Sequence, residues 1–202
     1  MKVIEQLLTN AGISPIAGVD EAGRGACAGP LVIASVVLND PFATELEVVR
    51  DSKEIPESKR DVVFDLIHQV AASVSVVIVP AAEVDARGVH AANLDGMRRA
   101  VQGLTVEPAY VLTDGYAIEG LGVPNLAVWK GDQVVVSISA ASVIAKVTRD
   151  RIMRDLDGQF PQYGFAGHKG YITAAHTKAL SEHGPCEQHR KSFANVAALI
   201  HK

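Results

Sequence analysis

Ile16-Ala-Gly-Val-Asp-Glu-Ala-Gly-Arg-Gly-Ala-Cys-Ala-Gly-Pro30, running on into Leu31-Val-Ile-Ala-Ser-Val-Val-Leu38, decides how this chain reads. A short apolar run ends in two adjacent carboxylates, Asp20 and Glu21. A glycine-arginine-glycine turn follows at Gly23, Arg24 and Gly25, and Gly29-Pro30 releases a second apolar run. Ile16–Val19 and Leu31–Leu38 read as two strands, and so short a connection implies that they pair antiparallel. Neighbouring side chains on a regular strand point to opposite faces. Asp20 and Glu21 can therefore serve one site only if the strand ends there, and the glycine-rich turn predicts that ending. Two such carboxylates repel, and a hard cation between them is the usual remedy. Arg24, held between two glycines, can approach a phosphate with backbone N–H groups beside it.

Outward from this stretch, residues 1–14 read as a short helix or arm. Pro56 opens a helix on which Val63, Leu66, Ile67 and Val70 share one face. Ser73–Val79 is a β-branched strand stopped by Pro80, and Ala91–Leu104 is a helix. Tyr110–Thr113 and Leu126–Trp129 are short strands that run into Asp114-Gly115 and Lys130-Gly-Asp132. A long helix spans Ile138–Phe160, with Ala140, Val143, Ile144 and Val147 as its apolar stripe. Ser139, Ser142, Lys146 and Arg149 fall on a different, polar face. A loop over 161–171, a helix Thr173–His183 and a last helix from about Phe193 to His201 complete the chain. Strands interleaved with helices, followed by helices only, indicate an α/β fold with a mixed sheet and a helical C-terminal part.

The 202 residues suit one domain, and a 48% hydrophobic content can fill its core. No apolar run reaches membrane-span length, and the N-terminus is too polar for a signal peptide, so the cytoplasm is the expected location. Cys27 and Cys186 lack metal-type spacing and read as reduced thiols. The net charge of −4 argues against a uniformly basic nucleic-acid binder, but its distribution is uneven. Residues 1–139 carry 10 Lys and Arg against 18 Asp and Glu, whereas 140–202 carry 9 against 5. An acidic part beside a basic part suits a metal site next to a polyanion groove, although solvated faces give the same imbalance.

The short strands end in or just before acid: Asp20-Glu21, Asp114 and Asp132. Strand ends gathered at one sheet edge are a common site. Four carboxylates together need positive charge, and Mg²⁺ or Mn²⁺ would supply it while binding phosphate oxygens. The competing explanation is that each acid caps a turn or faces solvent, as Asp before Gly often does.

Asp20-Glu-Ala-Gly-Arg-Gly25 with Ala28-Gly-Pro30 resembles the signature of ribonuclease HII, the type 2 ribonuclease H family. Further matches follow in order: Asp51-Ser-Lys53, Asp114-Gly115, Lys130-Gly-Asp132, the run Ser139 to Asp150, Tyr163-Gly-Phe165, His168-Lys-Gly-Tyr171, His176 and Arg190-Lys-Ser-Phe193. The resemblance implies a ribonuclease H-like five-stranded mixed sheet over residues 1–160. A C-terminal helical extension, 161–202, is expected to pack on it as a single structural unit. It implies metal-dependent hydrolysis of the RNA strand of RNA–DNA hybrids, and cutting 5′ of a single ribonucleotide in duplex DNA. Asp20, Glu21, Asp114 and Asp132 match the family's active-site acids, with two Mg²⁺ or Mn²⁺ ions expected when substrate is bound; the loop before Asp132 leaves room for an outer position. Gly23-Arg24-Gly25 matches the element that senses the ribose 2′-hydroxyl, and Tyr171 the tyrosine that packs on the following deoxyribose.

Lys53, Lys146, Arg149 and Lys169 are candidate phosphate contacts. For Lys146 and Arg149, solvation or an ion pair with Asp150 or Asp155 is an equal alternative. Ser139 and Ser142 are expected to bond locally in their helix. His168, His176, His183 and His189 are expected at the surface or in loops. Cys27 departs from the family pattern and reads as a small buried filler. A monomer is the default, because no heptad or large exposed apolar stripe stands out. Two rival classes are a hybrid-binding module without catalysis, which should lack one of the four acids, and a carboxylate-pair glycosidase, which the low aromatic content disfavours.

Overall fold

A computed structural model describes residues 3–200. Met1, Lys2, His201 and Lys202, parts of which the expected terminal helices included, lie outside the described residues. The chain runs α1 (Val3–Asn10), β1 (Ile16–Ala22), β2 (Leu31–Leu38), a 3₁₀ turn Thr44–Val48, α2 (Glu57–Val70), β3 (Ala71–Val79), α3 (Ala81–Arg87), α4 (Val89–Gln102), β4 (Tyr110–Asp114), β5 (Asn125–Val128), α5 (Gly131–Val134) and α6 (Val136–Gln159). A 3₁₀ turn Pro161–Tyr163, α7 (Phe165–His168), α8 (Ala174–His183) and α9 (Ala194–Ile200) follow. α3 goes beyond the sequence reading: its seven residues bury only Ala81 and Val84, too few for a helical period to stand out.

The five strands form one mixed sheet in the order β3-β2-β1-β4-β5. β1 pairs antiparallel with β2 and parallel with β4; β4 and β5 are parallel. Helices cover both faces, which is why all eight residues of β2 are buried. Val32, Ala34, Val36 and Leu38 pack with Val63 and Ile67 of α2 and Val143, Ile144 and Val147 of α6. Leu31, Ile33 and Val37 pack with Val84, Ala92, Met97 and Ala100 on the other side. The period of two thus divides one strand between two cores.

α6 is seated against β1 at its very start. A Cβ on Gly18 would lie 2.1 Å from the backbone carbon of Ser137, so only glycine permits this approach. From α1, the buried Glu5 carboxylate accepts the Val136 and Ser137 N–H groups, each at 3.0 Å. These are orphan donors of the helix N-terminus, and a carboxylate there also complements the helix dipole. Gly18→Ala is expected to cost about 1–3 kcal/mol through overpacking against backbone that cannot yield. Denaturant unfolding measures this, and an unchanged midpoint would contradict the contact.

Candidate active site

β1 does not end before the acids. It continues through Ala22, with Asp20 opposite Ala34 and Glu21 opposite Ile33. The two carboxylates therefore leave opposite faces of the sheet, and the expected strand ending is corrected. Asp20 follows Gly18 onto the α6 side, where the Ser142 hydroxyl faces it, while Glu21 faces Asn93 of α4. Parallel pairing of Val19 with Thr113 brings Asp114, the last residue of β4, beside Asp20. Lys130, in a left-handed conformation (φ 53°), turns the chain after β5 so that Asp132 enters with α5. The Gly131 N–H donates to Asp114 Oδ1 at 2.8 Å and fixes this turn to the strand end. One carboxylate oxygen from each of Asp20, Asp114 and Asp132 lies within 4.8 Å of the others.

This density of acid is costly without a cation. Burial, then Glu21 and Asp114, push Asp20 well above the usual carboxylate range, against a hydrogen bond from the Glu21 N–H (2.7 Å) and the nearby Ser142 hydroxyl. Glu21 is raised to about 7, chiefly by burial, with Arg24 opposing. Burial and Asp114 also raise Asp132. Among the described residues, buried Glu21 Oε2 has no hydrogen-bond partner. Beside Arg24, a second nearby cation is Lys53, whose Nζ stands 3.5 Å from Asp132 Oδ2 and 3.8 Å from Asp51 Oδ1. Three converging carboxylates and an orphaned oxygen beside them fit a hard divalent ion, which prefers oxygen ligands.

Two adjoining clefts open on these acids. One, of about 390 Å³, is lined by Asp20, Glu21, the Gly23-Arg24-Gly25 turn, Lys146 and Tyr171. The other, of about 500 Å³, contains Asp114, Asp132 and Trp129. Glu21, Arg24 and Lys53 line both. Arg24 lies over the Tyr116 ring, 4.6 Å from its centroid. Residues 17–196 match the family model described as Ribonuclease HII.

The chain belongs to the ribonuclease HII family. A ribonuclease HII of Parafrankia sp. (strain EAN1pec) is 58% identical over 195 residues, 96% of this chain and 81% of that one. The ribonuclease HII of Saccharopolyspora erythraea is 55% identical, covering 96% of this chain and 86% of the relative. The crystal structure of the ribonuclease H2 from Pyrococcus horikoshii OT3 superposes with a TM-score of 0.79 at 26% identity, over 91% of this chain and 96% of that one. The mixed sheet with its covering helices is thus the ribonuclease H-like fold, and the chain is a ribonuclease H. The family is dependent on divalent metal and acts on RNA–DNA hybrids.

Arg149 is not where a phosphate could reach it. Its side chain is fully buried, and its guanidinium donates to the carbonyls of Pro30 (2.9 Å), Lys169 (2.9 Å) and Ala28 (3.0 Å). It passes directly under Gly23, where a Cβ would overlap its Nε, and lies 5.4 Å from the Tyr171 ring centroid. Arg149 is therefore a positioning residue that joins the glycine turn to the Tyr171 loop. Arg190, equally buried, repeats the device with bonds to the Gly29 and Arg24 carbonyls. Lys169 turns its ammonium to Glu57 (3.5 Å) and the Ala166 carbonyl, away from both clefts. Lys146 faces the first cleft but also pairs with Asp150 at 2.6 Å. Ser142, expected to bond locally in its helix, instead faces Asp20 and meets the buried Ser52 hydroxyl at 2.9 Å. Its position one helical turn from Ser139 and Lys146 was the available signal.

Two of the histidines expected at the surface or in loops are buried: His176 on α8, and His189 in the loop after it. Their partners determine their protons. His176 Nδ1 must donate to the Tyr171 carbonyl (2.9 Å), so its Nε2 accepts from His189 Nε2 (3.1 Å). His189 Nδ1 then accepts from the Cys186 N–H at 3.0 Å. Both rings are neutral, and another proton on either would set two N–H groups face to face. Burial, then His176, lower His189 from its ordinary 6.5 to about 4. Unfolded chains protonate this residue near 6.5 and the folded chain only near 4, so its stabilisation is intact above 6.5 and lost as pH falls through that window. Melting midpoints from pH 8 to 4 should decline below 6.5, and His189→Gln should flatten that decline. Equal slopes in both proteins would contradict the neutral pair.

Proposed function

We propose that the cleft hydrolyses the RNA strand of RNA–DNA hybrids and cuts on the 5′ side of single ribonucleotides embedded in duplex DNA, leaving 3′-hydroxyl and 5′-phosphate ends. The observation that carries this is one shared cleft in which Asp20 and Glu21 adjoin both the Gly23-Arg24-Gly25 turn and Tyr171. Asp20, Asp114 and Asp132, together with Glu21, would hold the ions. Mg²⁺ or Mn²⁺, two when substrate is bound, would supply Lewis-acid activation of a water and stabilisation of the leaving 3′ oxygen there.

The chain's own residues supply recognition and placement. Backbone groups of Gly23, Arg24 and Gly25 meet the ribose 2′-hydroxyl, the group that separates RNA from DNA at one position. Tyr171, 39% exposed, offers its ring to the sugar that follows. Lys53, three-quarters exposed, is free to swing from Asp132 to a phosphate, and Lys146 contacts the backbone from the cleft wall. Lys169 contributes only if it leaves Glu57. Residues 1–160 form the catalytic body, and 161–202 form an extension packed on it, acting as a monomer in the cytoplasm. All four acids are present, so the reading as a binding module without catalysis has no feature in its favour.

A duplex holding one ribonucleotide, incubated with the protein and Mg²⁺ or Mn²⁺, is expected to be nicked 5′ of that ribonucleotide, while an all-DNA duplex stays intact. Asp114→Asn should lower the cutting rate by more than about a hundredfold, since even outer partners of metal ligands cost 10–100-fold, while hybrid binding and thermal unfolding persist. Undiminished cutting by Asp114→Asn would overturn the site.

A further inference from the structure

Trp129 is the one tryptophan of the chain and, at 82%, the most exposed large apolar side chain among the described residues. It follows β5 directly and lines the second cleft together with Asp114 and Asp132. Among the described residues no aromatic ring or cation stacks on it. Next to it, Lys130 is exposed and held in a left-handed turn that a lysine rarely adopts. Glu21, Arg24 and Lys53 belong to both clefts, so the indole and Tyr171 line two adjoining clefts that share these three residues.

A free indole face beside a lysine is the composition of a nucleic-acid contact, because sugars and bases present flat apolar surface and phosphates attract the ammonium. Bases of an intact duplex are already stacked on each other. What remains for an exposed ring is the face of a sugar. We propose that Trp129 packs against a backbone sugar of the bound duplex on the opposite side of the cut from Tyr171, with Lys130 on the adjoining phosphate. The inference rests on the hybrid-cleaving function above and extends its binding site. It makes the substrate path two-ended, with one aromatic in each of two adjoining clefts that share Arg24.

The lone indole is its own probe. In the Asp114→Asn full-length chain, which leaves the duplex uncut, unlabelled RNA–DNA hybrid is titrated while emission and acrylamide quenching are followed. A labelled hybrid gives anisotropy in parallel. Emission should shift, and quenching should fall, with the same midpoint as the anisotropy. In the otherwise unaltered enzyme, Trp129→Ala should raise KM about five- to tenfold, the effect of uncovering one sugar-sized apolar contact, with kcat within about twofold; Trp129→Phe should recover most of it. Hybrid that binds by anisotropy while emission and quenching stay constant, or an alanine variant with unaltered KM, would overturn the inference. Hybrid that fails to bind at all would overturn the functional reading beneath it, and is distinguished by the flat anisotropy.

Discussion

The buried guanidinium of Arg149 is the constraint on which the recognition side of this molecule depends. Removing that charge from water costs several kcal/mol. It is offset by three bonds to carbonyls, each contributing about 1.5–3 kcal/mol when the donor is charged. Those carbonyls belong to Ala28, Pro30 and Lys169, which lie on two segments about 140 residues apart in sequence. The cation therefore works as a rivet whose cost is recovered only when both segments are in place. Gly23 and Gly170 complete the fit, since a side chain at either would collide with Arg149 or with the Ala28 carbonyl.

α6 carries this rivet and also the Ser142 hydroxyl that faces Asp20, so its placement sets the metal side and the sugar side together. That placement is decided at its first turn, by the Gly18 contact and by Glu5. A residue from the first helix thus governs the geometry of a site whose acids come from elsewhere. The coupling is mechanical: one rigid helix of 24 residues spans from Val136 near β1 to Gln159 near the C-terminal helices.

Much of this was legible in the chain because it is local. The eight-residue run of β2, the short turn between β1 and β2, and the order of the acids each depend on neighbours in sequence. What was not legible depends on distant partners. Helical spacing placed Arg149 on a polar face with Ser139 and Ser142, and that is correct as geometry. The face is nevertheless buried, because loops from residues 28–30 and 169 cover it with carbonyls. His176 and His189 tell the same story. Imidazole is polar in any composition count, yet each ring here finds a donor and an acceptor, and satisfied polar groups can be buried. The strand ending expected after Val19 failed for a different reason. Pairing with Ile33 and Val32 carries β1 past the acids despite the glycines that follow.

That extension makes the order of two adjacent residues meaningful. A chain with Glu at 20 and Asp at 21 would have the same composition, the same charge and the same strand. Its longer arm would point at Ser142 and its shorter arm at Asn93, mirroring the reach of the two carboxylates across the sheet. Handedness at this site is therefore written in a single transposable pair, and the pleat of one strand is what converts that letter order into three-dimensional asymmetry.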